Sequence, residues 1–228
     1  MSPRRTTYTV EFAPHPSLNM TPNALPLLAG APRFVETPAA ELDISRAGLQ
    51  QAWMKALLRG PRDAAASTQG AFAVGLQLPD QRVFMAVDRF AIESICYRID
   101  GDQLRFARRA DELADGASID PQGIFDYLYF HVVPSPRTIF KGVFRLPPGH
   151  FAVFANGQLT VEAYWTATFE EPRSASFDTL KDEFRQILKT AVATQLDGSK
   201  PACFLSGGTD SSTIAGMIAQ AGGGQAAS

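Results

Sequence analysis

Apolar side chains recur at helical spacing in two segments of the chain. Residues 41–58 place them on one helix face, and we expect that stripe to face a core. Residues 177–192 follow the i, i+3, i+4, i+7 rule, with Ser176 at the N-cap position and Asp178 in the first turn. The pattern predicts one amphipathic helix over each segment. The stripe of the first helix consists of Leu42, Leu49, Trp53, Met54, Leu57 and Leu58.

Short apolar runs alternate with turn signals between these two segments. Residues 71–107 contain runs separated by Leu78-Pro79-Asp80 and Asp100-Gly101-Asp102, which predicts an antiparallel meander. Residues 150–164 predict a hairpin around Asn156-Gly157, because this dipeptide is a strong turn signal. The pattern therefore predicts antiparallel strand pairing over this part of the chain.

Prolines indicate loops and a helix start in the remainder of the chain. Residues 1–40 are proline-rich, so we predict only an edge strand at 6–12 and loop over most of 14–38. Pro121 begins a short helix that extends through residue 130. The polar stretch 170–176 is typical of a linker between domains.

A loop rich in small residues and hydroxyls lies near the end of the sequence. Residues 202–205 form a short apolar run of the kind that fills a buried parallel strand, and residues 213–219 can begin a helix after the loop. The segment between them has neither the spacing and lysine of a Walker A loop nor the G-x-G-x-x-G pattern. It reads Ser206-Gly207-Gly208-Thr209-Asp210-Ser211-Ser212.

The residue types of this loop suit a phosphate ligand. Gly207 and Gly208 let successive backbone N–H groups approach an anion, and the helix that follows adds partial positive charge. The serine hydroxyls can donate hydrogen bonds to phosphate oxygens. Asp210 would repel a bare phosphate, but it fits beside Mg²⁺. The loop is therefore predicted to bind a magnesium nucleotide.

The pattern Ser-Gly-Gly-x-Asp-Ser-Ser resembles the pyrophosphate loop of the N-type ATP pyrophosphatases, which include asparagine synthetase, argininosuccinate synthetase, GMP synthetase and NAD synthetase. The resemblance implies adenylation: a substrate oxygen attacks the α-phosphorus of ATP, pyrophosphate leaves, and a nitrogen nucleophile displaces AMP. The implied cofactors are ATP and Mg²⁺, with Asp210 at the metal. The implied ATP and pyrophosphate-binding residues are Leu205, Ser206, Gly207, Gly208, Asp210, Ser211 and Ser212.

Residues further upstream narrow the resemblance to the asparagine synthetase family. The strand that begins Gly70-Ala71-Phe72-Ala73 leads to Asp88-Arg89-Phe90-Ala91-Ile92, as in that family, although Ala91 replaces its glycine. The run 140–150, which contains Pro147-Pro148-Gly149-His150, and the pair Tyr164-Trp165 resemble the family's linker into its synthetase domain. The family's first domain is a class II glutaminase of the N-terminal nucleophile fold, an αββα sandwich.

The glutaminase residues of that family do not recur here. Ser2 stands where the family has its nucleophilic cysteine, and Pro3-Arg4-Arg5 follows it. An N-terminal serine could serve as a nucleophile in principle. However, the family's Asn-Gly-Glu-Ile-Tyr-Asn and Asp-Gly-Glu segments are absent, and residues 59–63 match its Arg-Gly-Pro-Asp motif only superficially. We predict that Ser2 is inactive and that glutamine hydrolysis is lost, and we identify no other catalytic residue.

These expectations define an α+β chain with two domains. Residues 1–169 would form a degenerate glutamine amidotransferase-like αββα sandwich, residues 170–176 a linker, and residues 177–228 the start of an α/β parallel-sheet ATP pyrophosphatase domain. One strand and one helix cannot bury the faces of a parallel sheet. We therefore expect the chain to be a fragment of a longer protein rather than a truncated relic.

Three functions remain open from the sequence. The first is an ATP-dependent ligase of the asparagine synthetase type that uses ammonia or glutamine. The second is a specialised relative in which the substrate's own amine attacks, as in β-lactam synthetase or the lasso-peptide cyclases. The third is a non-catalytic remnant or binding subunit. The expected partners are a small-molecule or peptide carboxylate and ammonia or an amine, and a homodimer is compatible with the sequence.

The composition gives information about the class of protein and its location, but little about its chemistry. With 228 residues, 45% hydrophobic content and a net charge of −2, we expect a soluble globular chain that does not bind nucleic acid. No apolar run reaches the roughly 18 residues that a membrane span needs. The two cysteines, Cys96 and Cys203, lie in apolar runs, so we predict that both are buried and that the chain is cytoplasmic.

Other polar residues are expected to be structural. His15, His131 and His150 are far apart and lack metal-ligand spacing. Asp88 and Arg89 are interpreted as turn-stabilising residues. An anion patch at Arg98, Arg105, Arg108 and Arg109 is less favoured than ion pairs with Asp111 and Glu112 on a solvated sheet face.

Overall fold

The computed structural model describes residues 7–10, 25–35, 43–169, 174–196 and 201–221. They belong to two compact units, one within residues 1–168 and one within residues 169–228. In the first unit, the strands are β1 (Thr7–Val10), β2 (Leu27–Gly30), β3 (Arg33–Phe34), β4 (Thr68–Gln69), β5 (Phe72–Gln77), β6 (Val83–Val87), β7 (Cys96–Asp100), β8 (Gln103–Ala107), β9 (Val143–Arg145), β10 (His150–Ala155) and β11 (Gln158–Ala163). Its helices are α1 (Arg46–Leu57), α2 (Pro61–Ser67) and α3 (Pro121–Phe130), with a 3₁₀ turn at Asp111–Leu113.

Antiparallel pairing builds every sheet of the first unit. The largest sheet has the order β1-β11-β10-β6-β5-β2, and a second sheet has the order β8-β7-β9. Strands β3 and β4 form a separate two-stranded pair. In the large sheet, Met85 lies opposite Gly75 on one side and Ala152 on the other, which fixes the register of its centre.

The large sheet buries both of its faces, because successive side chains of a strand point to opposite sides. Phe72, Val74 and Leu76 pack with Trp53 of α1 on one face. The ring of Trp53 lies edge-on to Phe72, with 5.2 Å between the ring centroids. This face therefore packs against helices.

The opposite face packs against the second sheet. Met85 and Val87 of β6 join Tyr97 of β7 and Leu104 of β8 in one buried cluster. On the outer face of the second sheet, Cys96 and Val143 pack with Leu113 of the 3₁₀ turn. The predicted α+β class with two antiparallel sheets packed face to face is confirmed.

Several predicted elements match the structure closely. The helix from Pro121 to Phe130 has the predicted bounds, and the hairpin of β10 and β11 turns at Asn156-Gly157, where both residues have positive φ. Strand β1 lies at the edge of the large sheet, within the predicted segment 6–12. Cys96 is buried as predicted, and burial raises the pKa of its thiol.

Other predictions were wrong in the first unit. Residues 71–107 are not one meander: β5 and β6 belong to the large sheet, whereas β7 and β8 belong to the second. The predicted loop 14–38 contains β2 and β3, because Leu27–Gly30 can pair with β5 despite the flanking proline. The helix α2 was not predicted; it begins at Pro61, where a missing N–H costs nothing.

The first long helix is shorter than predicted. Helix α1 begins at Arg46, capped by the Ser45 hydroxyl, which accepts from Gly48 N at 3.1 Å. Leu58 lies just beyond the helix and is 85% exposed, so it does not belong to the core stripe. Leu42 lies outside the described residues.

The described part of the second unit consists of two packed helices, α4 (Phe177–Ala193) and α5 (Thr209–Ala221). The Ser176 hydroxyl caps α4 as predicted, accepting from Thr179 N at 3.2 Å. The strand predicted at 202–205 was wrong: Phe204 is exposed, and Cys203 is partly exposed rather than buried. Within this segment Ala202 takes part in an isolated β-bridge, and the described residues of the unit form no strand.

None of the described helices is long and apolar enough to cross a membrane.

Candidate functional site

The candidate site is the loop at residues 205–212, which enters α5. The helix begins at Thr209, four residues earlier than predicted, so Asp210, Ser211 and Ser212 belong to its first turn. Gly207 has φ +80°, a left-handed conformation that glycine adopts readily and other residues do not. This conformation lies immediately before the N-terminus of α5, two residues from Thr209.

Two serine hydroxyls meet across this loop. The Ser206 and Ser211 Oγ atoms are 3.0 Å apart, and Ser206 N donates to Ser211 Oγ at 3.3 Å. Gly208 N donates to Ser206 Oγ at 3.4 Å, and Ser211 Oγ donates to Gly208 O at 3.2 Å. These bonds bring Ser206, Gly208 and Ser211 together from positions separated by up to five residues.

The first turn of α5 also contributes backbone donors. The first N–H groups of any α-helix lack intrahelical acceptors, and here they belong to Thr209, Asp210 and Ser211. Ser212 N already donates to Gly208 O at 3.2 Å. The partial positive charge of a helix N-terminus favours an anion at this position. The loop can therefore offer amide and hydroxyl donors to phosphate oxygens.

The predicted site residues are accessible to a ligand. Leu205, Ser206, Gly207, Gly208, Asp210 and Ser212 are exposed, and Ser211 is partly exposed. Asp210 is the acidic residue of the first turn of α5 and can supply an oxygen ligand to a hard cation. Ser2 lies outside the described residues.

A second constellation surrounds Asp88, which is buried at the end of β6. Its Oδ1 accepts from the amides of Phe90 at 3.0 Å and Ile92 at 3.1 Å. Its Oδ2 accepts from the amides of Phe72 and Glu93, both at 3.1 Å. A carboxylate with four internal donors has little capacity left for a substrate, which supports the structural interpretation of Asp88.

Motif residues from distant parts of the sequence converge on the Asp88 turn. Gly149 N donates to Asp88 O at 3.0 Å, and Gly149 O accepts from the amides of Tyr164 and Trp165. A Cβ atom at Gly149 would lie 2.6 Å from Trp165 O, so only glycine fits. The guanidinium of Arg89 lies over the Trp165 ring at 5.9 Å from its centroid. These contacts bring residues of three separate motifs together in one turn.

Tyr164 contributes a contact that the sequence analysis missed. Its hydroxyl donates to Val87 O at 2.8 Å, next to the Asp88 turn. Burial raises the pKa of Tyr164 far above its usual range, and the nearby Asp88 carboxylate raises it further. The sequence analysis identified the pair Tyr164-Trp165 by its resemblance to a family motif, but that resemblance did not indicate which group the Tyr164 hydroxyl contacts.

The arginines beside the second sheet are ion-paired. Arg105 contacts Asp115 at 3.0 Å, and Arg109 contacts Asp111 at 2.8 Å. The Asp111 carboxylate is held by Arg109, which lowers its pKa. Of the ion pairs predicted with Asp111 and Glu112, the one between Arg109 and Asp111 is confirmed. The other arginines pair with different acids: Arg98 and Arg105 contact Asp100, and Arg108 contacts Glu93. Exposed pairs of this kind contribute little to stability.

Comparison with known proteins identifies two family matches along the chain. A glutamine amidotransferase domain model matches residues 51–165, and an asparagine synthase model matches residues 183–227. Asparagine synthetase [glutamine-hydrolyzing] 1 of Bacillus subtilis is 31% identical over 158 residues, which are 67% of this chain and 25% of the relative. Amidase chyE of Penicillium rubens is 33% identical over 161 residues, which are 66% of this chain and 23% of the relative.

A solved glutamine phosphoribosylpyrophosphate amidotransferase from B. subtilis matches with a TM-score of 0.37 and 14% identity, covering 87% of this chain and 44% of that chain. The chain spans about a quarter of the length of the curated relatives that it matches. The glutamine amidotransferase match covers half of the chain, and the asparagine synthase match follows it in order. The chain therefore belongs to the asparagine synthetase family, with its glutamine amidotransferase domain at residues 51–165.

Proposed function

We propose that residues 205–212 bind the phosphates of Mg-ATP in an ATP-dependent, amide-forming ligase. The observation that carries this proposal is the meeting of the Ser206 and Ser211 hydroxyls, 3.0 Å apart, at the N-terminus of α5. The family match over residues 183–227 supports it, because the loop lies inside that segment. Leu205 contributes backbone to the same loop.

The loop residues fit a pyrophosphate leaving group. The amides of the first turn of α5 and the two serine hydroxyls would donate to its oxygens and stabilise its developing charge. The Ser206 and Ser211 hydroxyls now satisfy one another and the Ser206 and Gly208 amides, so a phosphate oxygen can replace them as acceptor. Asp210 would hold Mg²⁺, which neutralises phosphate charge.

The proposed reaction forms one amide at the expense of one ATP. A substrate carboxylate oxygen bonds to the α-phosphorus as the bond to pyrophosphate breaks. Ammonia or an amine then bonds to the acyl carbon, AMP leaves with the electrons of the C–O bond, and the nitrogen loses a proton to solvent. The carboxylate is a small molecule or part of a peptide. The setting that we propose is the cytoplasm, where the two free cysteines stay reduced.

The first unit would then be an amidotransferase sandwich without glutaminase activity. Ser2 occupies the position of the family's nucleophilic cysteine, and a serine there lacks the easily formed thiolate. This substitution also favours a second candidate function, in which an amine within the substrate attacks and an intramolecular amide forms. The two candidates share the loop and differ only in the nucleophile.

Binding of pyrophosphate tests the loop directly. We expect the chain to bind Mg-pyrophosphate in isothermal titration calorimetry. We also expect the double variant Ser206→Ala, Ser211→Ala to bind at least about tenfold more weakly, since two hydroxyl donors are lost. Thr194→Ala is the matched control, because it removes a hydroxyl that lies outside the loop, at the residue that follows α4. Unchanged affinity in the double variant, or no binding by the unmodified chain, would overturn the proposal.

Glutamine hydrolysis tests the first unit separately. We expect no glutamate release from glutamine above the rate of a Ser2→Ala variant. Glutamate release that disappears in Ser2→Ala would contradict the proposed loss of glutaminase, while leaving the loop assignment intact.

A further inference from the structure

A cavity of about 360 Å³ lies between the start of α3 and strand β9. This volume is within the range of small-molecule sites in proteins. The cavity is lined by two acids and two bases that the proposed reaction does not use, and by apolar residues. The apolar residues are Pro134, Pro136, Phe140, Val143 and Phe144. We call this the α3–β9 cavity.

Backbone hydrogen bonds hold the segments that surround the α3–β9 cavity. Asp120 N, at the start of α3, donates to Ile139 O at 2.8 Å. Arg145 N, at the end of β9, donates to Pro136 O at 2.8 Å. The walls are therefore in place without a ligand, and a preformed site spares a ligand the entropy loss of ordering it.

The two acids of the cavity share one guanidinium. Arg137 Nη1 donates to Asp120 Oδ2 at 2.7 Å, whereas Arg137 Nε lies 3.4 Å from Asp126 Oδ2. The second distance exceeds the roughly 2.7–2.9 Å of a charge-assisted hydrogen bond. The Asp126 side chain is only 14% exposed, and the described residues give its Oδ2 no shorter contact to a donor. Asp126 Oδ2 therefore remains available as an acceptor for a ligand cation.

The α3–β9 cavity also has hydrogen-bond donors without acceptors. Within the described part of the chain, the Lys141 ammonium and the Ser135 hydroxyl make no hydrogen bond or ion pair. In Arg137, the two acids contact Nη1 and Nε and leave Nη2 unused. Ammonium and guanidinium donors of this kind suit a carboxylate.

The charges of the cavity are balanced. Two carboxylates, of Asp120 and Asp126, face two cations, of Arg137 and Lys141. The Arg137 guanidinium lowers the pKa of Asp120 below its usual range, so this acid stays ionised. A ligand with a single charge would disturb the balance, whereas a ligand with one ammonium and one carboxylate preserves it.

The free acceptor and one free donor are neighbours. Asp126 Oδ2 is closest to Arg137 Nε, and the unused Nη2 belongs to the same guanidinium. In an α-amino acid, one carbon separates the ammonium from the carboxylate. The short separation of these two groups matches the adjacent acceptor and donor.

We propose that the α3–β9 cavity binds a free α-amino acid with an apolar side chain. The ligand's ammonium would donate to Asp126 Oδ2, and its carboxylate would accept from Arg137 Nη2 and Lys141 Nζ. Its side chain would lie against the apolar wall, where burial is favourable. The proposal is independent of the nucleotide loop and of the proposed ligase reaction.

Isothermal titration calorimetry of the 228-residue chain with L-phenylalanine tests this site. We expect saturable binding with a Kd of about 1 mM or tighter. 3-Phenylpropionate, which lacks the ammonium, and phenethylamine, which lacks the carboxylate, should each bind at least about tenfold more weakly. L-Aspartate should also bind at least about tenfold more weakly, because its charged side chain would lie against the apolar wall.

Lys141→Gln tests the carboxylate contact. Lys141 is exposed and has no ion pair within the described residues, so the variant should keep the unfolding temperature of the unmodified chain. It should bind L-phenylalanine at least about fivefold more weakly and phenethylamine equally well, because the amine has no carboxylate. Lys189→Gln, which alters an exposed lysine of α4, is the matched control and should leave both affinities unchanged.

Asp126→Asn tests the ammonium contact in the same way. It should weaken binding of L-phenylalanine at least about fivefold without weakening that of 3-phenylpropionate, because only the amino acid carries an ammonium. The proposal is overturned if neither L-phenylalanine nor L-leucine binds at about 10 mM. It is also overturned if Lys141→Gln leaves the affinity for L-phenylalanine unchanged, or if 3-phenylpropionate binds as tightly as L-phenylalanine.

Discussion

The Asp88 turn and the loop at residues 205–212 both hold acceptor oxygens against backbone amides, yet one is buried and the other is exposed. Asp88 takes four amide hydrogen bonds and is nearly inaccessible to solvent. Asp210 lies exposed in the first turn of α5, and neighbouring hydroxyls rather than its carboxylate hold the loop amides. The amides of the Asp88 turn are bound to a buried carboxylate, whereas the amides of the loop can exchange their serine acceptors for a ligand.

This difference in burial and hydrogen bonding distinguishes Asp88, a structural residue, from Asp210, a candidate binding residue. Asp88 and Arg89 have the residue types of a catalytic pair, although the sequence analysis interpreted them as turn-stabilising residues. Hydrogen bonding supports the structural role of Asp88, because a carboxylate that already accepts four hydrogen bonds within the protein has little capacity left for a ligand. Substitutions at the Asp88 turn and at the loop test this difference.

The largest effect is expected from Asp88→Ala. It would leave four amides without their acceptor, and we expect the free energy of unfolding to fall by about 4 kcal/mol. Both tryptophans lie in the first unit, so urea unfolding followed by tryptophan fluorescence reports on that unit alone. Asp102→Ala, at an exposed turn position, is the control and should change stability by less than about 0.5 kcal/mol. Equal effects of the two variants would contradict the role of Asp88.

We expect Tyr164 to make the stability of the first unit decrease at alkaline pH. The pKa of Tyr164 is raised in the folded state. Its full contribution to the free energy of unfolding is therefore present below a pH of about 10, where the tyrosine of the unfolded chain also keeps its proton. Above that pH only the unfolded chain loses the proton, and stability should fall by about 1.4 kcal/mol per pH unit. Tyr164→Phe should remove this slope and Tyr129→Phe should retain it, as measured by urea unfolding at pH 9 to 11. An identical slope in both variants would exclude Tyr164 as its source.

Gly207→Ala is the corresponding change in the exposed loop. A side chain at φ +80° is strained by about 1–2 kcal/mol, so we expect binding of Mg-pyrophosphate to weaken about tenfold. Gly216→Ala is the control: it lies in the middle of α5 with open space around it, and it should leave affinity unchanged. Calorimetry on both variants measures this difference. Tight binding by Gly207→Ala would show that the observed loop conformation is not the binding one.

The smallest effect is expected at Ala91, which has φ +50° within the Asp88 turn. Ala91→Gly should raise the free energy of unfolding by about 0.5–1 kcal/mol, because glycine relieves the strain of a left-handed residue. Ala117→Gly, at a position outside the left-handed region, should instead lower stability. Urea unfolding distinguishes the two signs. A loss of stability in Ala91→Gly would mean that the turn does not strain Ala91.

Local signals in the sequence predicted a large part of this architecture. Asn156-Gly157 identified a hairpin, Pro121 identified the start of α3, and Ser176 identified the N-cap of α4. Each of these features depends on only a few neighbouring residues. The α+β class followed from the same signals together with the alternation of apolar residues.

Features that depend on long-range packing were not predicted. Apolar alternation over residues 71–107 indicated a meander of short antiparallel strands, but it could not indicate that β7 belongs to the second sheet rather than to the large one. Strand β2 depends on pairing with β5, and the apolar run at 202–205 does not form the predicted strand in the described part of the chain. The loop residues were identified by their pattern, whereas the Ser206–Ser211 contact required the fold of the chain.

An NMR titration of the ¹⁵N-labelled chain with Mg-pyrophosphate tests the central comparison most directly. The account predicts saturable shifts for the amides of Gly207, Gly208, Thr209, Asp210 and Ser211, and no shift for those of Phe72, Phe90, Ile92 and Glu93, relative to Mg²⁺ alone. The opposite pattern, or unchanged loop amides at saturating ligand, would contradict the assignment of residues 205–212 as the phosphate-binding site.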